Sequence, residues 1–272
     1  MRAWCNGALI DPQEPALAPL DHGLTVGDGV FEAVKVTDGQ PFAVTRHLRR
    51  LARSAAGLGL PAPDDDVILD GIKQVLAAEH LDLGRVRVTF TGGIGPLGSG
   101  RDQGTPSYVV VATSAPRPQP TTKAVTVPWT RNERGALVGL KTTSYAENVM
   151  ALAYAEERGV TEAIFANTKG NMCEVTGTNV FCVFDGTVVT PPLTSGCLAG
   201  ITRELVLEWC DVVERDLTME ELAAADEVFL TSTTRDVQGL HELDESSFST
   251  KQPVTERVRA RWAVQEPRDL DP

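Results

Sequence analysis

Lys141 stands in GLKTTSYAENVMALAYAEERG, between a short apolar approach and a run of small residues that reads as a helix. A lysine just ahead of a helix start is near the positive end of the macrodipole, which disfavours its ammonium form and suits an amine that must be neutral to react. The competing reading is a solvated loop lysine. Ser144 with Glu147 three residues later has capping-box spacing, so Ser144 is the expected N-cap. The remaining lysines have structural readings: Lys35 in an expected strand, Lys73 on a helix, and Lys123, Lys169 and Lys251 in or beside turns. Glu174 opens EVTGTNVF, a carboxylate near a strand end followed by small residues. It is either an exposed glutamate or the partner of a cationic nitrogen. TPPLTSGCLAGITRELVLEW runs from a strand through a glycine-containing loop into a helix. There the backbone amides of Ile201 and Thr202, with the Thr202 hydroxyl, would face a bound anion. TSTTRD adds Thr231, Ser232, Thr233 and Thr234 at another strand end, a second set of hydroxyls for a phosphate. Arg46, His47, Arg49, Arg50 and Arg53 form a basic cluster with three readings: a solvated helix face, an RNA contact, or one arginine turned inward to grip a single phosphate through its fork.

A reactive amine, an anion cradle, a carboxylate and a floor of small residues are together what pyridoxal phosphate requires. Its aldehyde needs a lysine, its phosphate needs backbone amides and hydroxyls, and its ring nitrogen needs an acid that keeps it protonated.

The elements that must position these groups are legible in outline. WCNGALI carries an Asn6-Gly7 hairpin signal, and GVFEAVKVTDGQPFAV reads as two strands joined at Asp38-Gly39. RHLRRLARSAAGLG puts Leu48, Leu51, Ala52 and Ala55 on one helical face. A second helix is expected after Asp64-Asp65-Asp66, and RVRVTFTGG and SYVVVATS read as strands. The polar, Pro-rich stretch APRPQPTT, residues 115–122, is read as a linker between an N-terminal domain, 1–114, and a C-terminal domain, 123–272. Beyond it come strand AVTVPW, the helix after Lys141, strands TEAIFAN, MCEVT, NVFCVF and TVVTPP, a helix from about Ile201 to Cys210, strands EVFLTS and QGLHEL, and a last helix near Thr255. The tail EPRDLDP is expected to fray.

Composition narrows the function classes. The chain has 272 residues and is 42% hydrophobic, enough for a large core, and its net charge of −12 argues against nucleic acid and anionic membranes as partners. No segment approaches a membrane span, and MRAWCNGALIDPQEP has no signal-peptide pattern. Five cysteines without a CxxC, and four histidines (His22, His47, His80, His241) without ligand spacing, fit a reduced cytoplasm and no metal site. Gly93-Ile-Gly95-Pro-Leu-Gly98 is a literal GxGxxG, but Pro96 sits inside it and the loop SGRDQGTP follows where a dinucleotide fold needs a helix.

Glu174-Val-Thr-Gly-Thr-Asn179-Val180-Phe181, then Val188-Val-Thr190, then Leu198-Ala-Gly200-Ile201-Thr-Arg203 resembles the signature of class IV pyridoxal-phosphate enzymes. This group includes branched-chain and D-amino acid transaminases and aminodeoxychorismate lyases. The resemblance extends through GLTVGDGVFEAVKV, HLRRL and Lys141, covering nearly the whole chain. It implies an α+β fold of type IV, with a smaller α/β N-terminal domain, a larger β-rich, pseudo-barrel C-terminal domain and the cofactor between them, in a homodimer. It implies Lys141 as Schiff-base lysine and general acid/base, Glu174 as partner of the pyridine nitrogen, and Arg50, Ile201, Thr202 and Thr233 as phosphate ligands. Leu198 would pack on the ring face and Tyr145 would reach the ring hydroxyl.

The substrate implied is a small amine or amino acid. Chain length, and Arg87 in RVRVTF where the lyases carry a basic residue, lean toward a lyase that converts 4-amino-4-deoxychorismate to 4-aminobenzoate and pyruvate, on the folate path. Arg87 would meet a substrate carboxylate, and Phe31 is a further substrate candidate. The alternative is a D-amino acid or branched-chain transaminase, given GVFEAVKV. The loop GGIGPLGSGR supplies only Arg101 for the carboxylate-binding arginine other members carry there.

Overall fold

The structure, a computed structural model, describes residues 1–102 and 104–272. Gln103, inside the stretch SGRDQGTP read as a loop, lies outside the described residues. The chain divides into two compact units. The first comprises Met1–Arg117, Leu140–Ser144 and Leu270–Pro272, and the second Pro118–Gly139 and Tyr145–Asp269.

The first unit contains β1 (Arg2–Cys5), β2 (Ala8–Ile10), a single helical turn α1 (His22–Thr25), β3 (Gly29–Thr37), β4 (Gln40–Pro41), α2 (Val44–Leu58), α3 (Asp65–Ala78), β5 (Leu83–Thr91) and β6 (Ser107–Ser114). Among the described residues its strands form one sheet in the order β2-β1-β6-β5-β3-β4. Strand alternation explains its two faces. Val30, Val34 and Val36 of β3 and Val86, Val88 and Phe90 of β5 are buried with Leu48, Leu51 and Ala55 of α2 and Ile68, Ile72 and Val75 of α3. The intervening residues, Phe31 and Arg87 among them, point the other way. Asp38 and Gly39 turn the β3–β4 hairpin at φ 49° and 73°, the left-handed pair that such a tight turn requires. Asp64 caps α3 by accepting from the Asp66 and Val67 amides.

Helix α2 has no cap of its own, because Ala43 precedes it in the left-handed region. The tail supplies one. The Asp271 carboxylate accepts from the Thr45 amide (2.8 Å) and from the Thr45 hydroxyl, the Ala43 amide donates to the Leu270 carbonyl (2.7 Å), and Arg46 Nε donates to the Pro272 carbonyl (2.7 Å). The tail is therefore docked and not frayed, since the donors of an uncapped helix start need partners.

The second unit contains β7 (Thr121–Arg131), α4 (Ala146–Glu156), β8 (Glu162–Asn167), β9 (Met172–Val175), β10 (Asn179–Phe184), β11 (Thr187–Thr190), α5 (Ile201–Trp209), β12 (Val212–Glu214), α6 (Met219–Ala223), β13 (Glu227–Ser232), β14 (Asp236–Leu243), β15 (Ser246–Ser247) and α7 (Pro253–Gln265). Its strands form one mixed sheet, among the described residues in the order β12-β11-β10-β13-β14-β7-β8-β9, with β15 beside β14. One face buries Ile164, Met172, Val180, Cys182, Val228, Leu230 and Leu240. Val125, Val127, Ala163 and Phe165 pack against Ala151 and Ala155 of α4. α7 starts where the buried Glu227 carboxylate accepts from the Val254 and Thr255 amides. No helix of the described residues is long and apolar enough to cross a membrane.

Candidate active site

Residues of the first unit gather around Phe31. The segment holding Lys141 runs antiparallel along the start of β3, through a bridge between Val30 and Thr142 and backbone bonds from Phe31 N to Lys141 O and from Thr143 N to Gly29 O. That register puts Lys141 and Phe31 side by side, and paired residues project to the same face. Lys141 Nζ lies 4.5 Å from the Phe31 ring centroid, and the Arg87 guanidinium carbon lies 3.8 Å from it. The Lys141 amide donates to the buried Ser54 hydroxyl of α2 (3.1 Å). Ser144 does not cap the next helix. Its hydroxyl donates to the Gly27 carbonyl, and Tyr145 precedes α4 without a side-chain cap.

On the core face of β3, buried Glu32 meets α2. Arg50 donates from Nε to Oε1 (2.7 Å) and from Nη2 to Oε2 (2.6 Å), and His47 Nδ1 lies 2.7 Å from Oε2. Burial pushes the Glu32 carboxyl up, but the Arg50 charge and the bonds from Arg50 and His47 outweigh it and hold it well below the usual carboxylate range. Burial pulls the His47 imidazole down against the pull of Glu32. Sequence reading named His47 and Arg50 in one basic cluster and did not anticipate Glu32 as the partner of both. The available signal was a glutamate on the core-facing alternation of a strand, opposite residues one helical turn apart.

Arg101 is committed elsewhere in this unit. It donates to Asp28 from Nε (2.7 Å) and to the Leu58 carbonyl (2.8 Å), closing the end of α2. Its hydrogen bond holds the Asp28 carboxyl below the ordinary range. At the hairpin, exposed Asp38, His80 and Asp82 bring their ligand atoms within 4.8 Å of one another, a grouping that exposed acidic residues commonly form without an ion.

In the second unit both oxygens of Glu174 are held. Arg131 Nη1 donates to Oε1 (2.7 Å) and the Leu198 amide donates to Oε2 (2.9 Å). Two residues after Leu198, Gly200 opens α5. A Cβ there would stand 2.1 Å from Asn179 Oδ1, so only glycine fits the approach. Asn179 Nδ2 in turn donates to the Leu198 carbonyl (2.8 Å). No side chain caps α5, so the amides at its buried start, Ile201 and Thr202, are offered to an anion. Thr231 is the cross-strand partner of Asn179, and among the described residues its buried hydroxyl has no partner, nor has that of Thr178. Thr233 is half-buried in the turn that follows β13. The Tyr145 hydroxyl donates to the Thr176 carbonyl (3.3 Å).

Residues 29–243 match the family model described as Amino-transferase class IV. The chain belongs to the class IV aminotransferase family. It is 32% identical, over 97% of its own length and 98% of the other, to a Methanocaldococcus jannaschii protein provisionally assigned as a branched-chain-amino-acid aminotransferase. It is 27% identical, over 95% of both, to the D-alanine aminotransferase of Staphylococcus haemolyticus. A Legionella pneumophila structure provisionally assigned as a 4-amino-4-deoxychorismate lyase superposes with a TM-score of 0.87 at 25% identity, over 94% of this chain and 97% of that one. The fold is that of the type IV aminotransferases, as the sequence resemblance implies. The protein is an enzyme of this pyridoxal-phosphate-dependent type. Its residues fit the cofactor: an uncapped helix start and an unpartnered buried hydroxyl suit a phosphate, and a fixed carboxylate suits a cationic ring nitrogen.

Proposed function

We propose that this enzyme transfers an amino group between an amino acid and a 2-oxo acid. The observation that supports amine chemistry on a carboxylate-bearing substrate is the grouping on Phe31, where an amine and a guanidinium lie over the same ring. Arg87 orients the substrate carboxylate, for which its fork is suited, and Phe31 forms the floor between the two. Lys141 would hold the cofactor through Nζ and would move the substrate proton at that atom. Glu174, ionised, would keep the ring nitrogen protonated. When bound, the cofactor supplies the electron-withdrawing ring that stabilises charge at the substrate carbon. Arg50, the Ile201 and Thr202 amides, and the hydroxyls of Thr202 and Thr233 would hold the phosphate. Leu198 would pack on the ring, and Tyr145 would serve the ring hydroxyl. The working form is a homodimer in the cytoplasm.

A second reading, the 4-amino-4-deoxychorismate lyase, is favoured by the strand position of Arg87 and the Legionella structure. With Arg101 bound to Asp28, Arg87 is the cation on which both readings depend. The transaminase reading leads because the curated relatives above carry that assignment. The test supplies D- and L-amino acids with 2-oxoglutarate or pyruvate, and separately aminodeoxychorismate. Keto-acid exchange without aromatic product is expected. Aromatic product and pyruvate without exchange would overturn the first reading in favour of the second. Arg87→Ala should raise KM in whichever assay turns over, and an unchanged KM and kcat would remove Arg87 from the role.

A further inference from the structure

We infer that Arg131 is a positioning residue that keeps Glu174 ionised and aimed at the cofactor's ring nitrogen. The inference rests on the reading of Glu174 given above. Arg131 ends β7, and its side chain is only 17% exposed. Its guanidinium lies over Phe165, 4.3 Å from the ring centroid. Phe165 is the cross-strand partner of Glu174, so the stack sets the guanidinium plane beside the carboxylate. Nη1 reaches Glu174 Oε1 (2.7 Å), Nη2 reaches Asn148 Oδ1 (3.3 Å), and Nε is 2.8 Å from Glu147 Oε2. Two separate N–H donors held apart in a fixed fork, one on Glu174 and one on Asn148, are what a guanidinium supplies and a lysine ammonium does not. The Leu198 amide on Oε2 leaves the carboxylate no freedom to turn.

The consequence concerns where a proton resides. A carboxylate beside a protonated ring nitrogen can take that proton back, which discharges both groups. A guanidinium in contact with the carboxylate lowers its appetite for the proton and keeps it on the ring. In an Arg131→Met chain, Glu174 keeps its burial and its Leu198 bond but loses this charge. Its neutral form then becomes accessible on mild acidification.

The experiment titrates cofactor-free protein with pyridoxal phosphate at several pH values, for wild type, Arg131→Met, Arg131→Lys, Glu174→Gln and the Met/Gln double variant. Thermal melts of the cofactor-free forms run alongside. Arg131→Met should weaken binding about tenfold or more, the scale for losing an outer partner that orients a ligating group, and the deficit should widen as pH falls. Arg131→Lys should recover part of it. In the Glu174→Gln background the Met change should add little, because Arg131 acts through Glu174. Wild-type affinity and pH profile in Arg131→Met, or full additivity in the double variant, would overturn the inference while leaving Glu174 in place. Unaltered binding by Glu174→Gln would instead overturn the reading of Glu174. Should Arg131→Met not fold, Arg131→Gln, which also removes the charge, decides: its deficit must widen on acidification, and a pH-independent deficit contradicts the inference.

Discussion

Arg50→Ala should destabilise the cofactor-free protein, and the size follows from what it strands. Glu32 is 1% exposed and receives two bonds from Arg50, at 2.7 and 2.6 Å. Removing one partner of such a pair leaves a buried charge, at a cost of about 3–5 kcal/mol. At about 2–4 °C per kcal/mol for a chain of this order of length, Tm should fall by roughly 6–20 °C. Calorimetry of the cofactor-free protein measures it without any contribution from bound phosphate. Glu32 is held low in the folded state, so its contribution is present above the ordinary carboxylate range and is lost as pH falls through the folded value. His47 is also held low, so the unfolded chain takes up its proton first, and stability falls further as pH drops below about 6.5. In Arg50→Ala the stranded Glu32 can escape its cost by protonation. The deficit should therefore be largest at neutral pH and shrink toward acid. Glu32→Gln with Arg50→Met should be milder than Arg50→Ala alone, because no charge is left unpaired. A wild-type melting temperature for Arg50→Ala at neutral pH would refute this reasoning.

Asp271→Ala should lose the borrowed cap of α2, costing about 1 kcal/mol and about 2–4 °C in Tm, and an unchanged melt would show that the tail does not support that helix. Gly200→Ala should displace Asn179, whose Oδ1 would stand 2.1 Å from the new Cβ, and so weaken pyridoxal phosphate binding measured by equilibrium dialysis. Wild-type affinity in that variant would contradict the close approach at the start of α5.

Much of the local structure was legible because the signals were local. The Leu48, Leu51 and Ala55 spacing marks the buried face of α2, and the Asp64–Asp66 run places the start of α3. What escaped depends on distant partners. Ser144 has cap spacing, yet its hydroxyl finds the Gly27 carbonyl, 117 residues away in the chain. A polar, charged tail looks unattached until a helix start without its own cap is seen to need it. Lys141 and Glu174 stood out by residue type and by the motif around them. Arg131 did not, because Pro128 and Trp129 made the strand look finished. The structure continues β7 to Arg131 through a register shift between Thr126 and Thr130, the kind of irregularity that accommodates a proline in a strand. Glu32 was hidden for another reason: a charge on an apolar face reads as an exception until its partners on α2 are known.

The attachment point of the cofactor tests the central claim most directly. The protein is loaded with pyridoxal phosphate, reduced with borohydride, digested and mapped by mass spectrometry. The pyridoxyl adduct is expected on Lys141 and on none of the other five lysines. An adduct on Lys35 or another lysine, or none despite a saturated site, would contradict it.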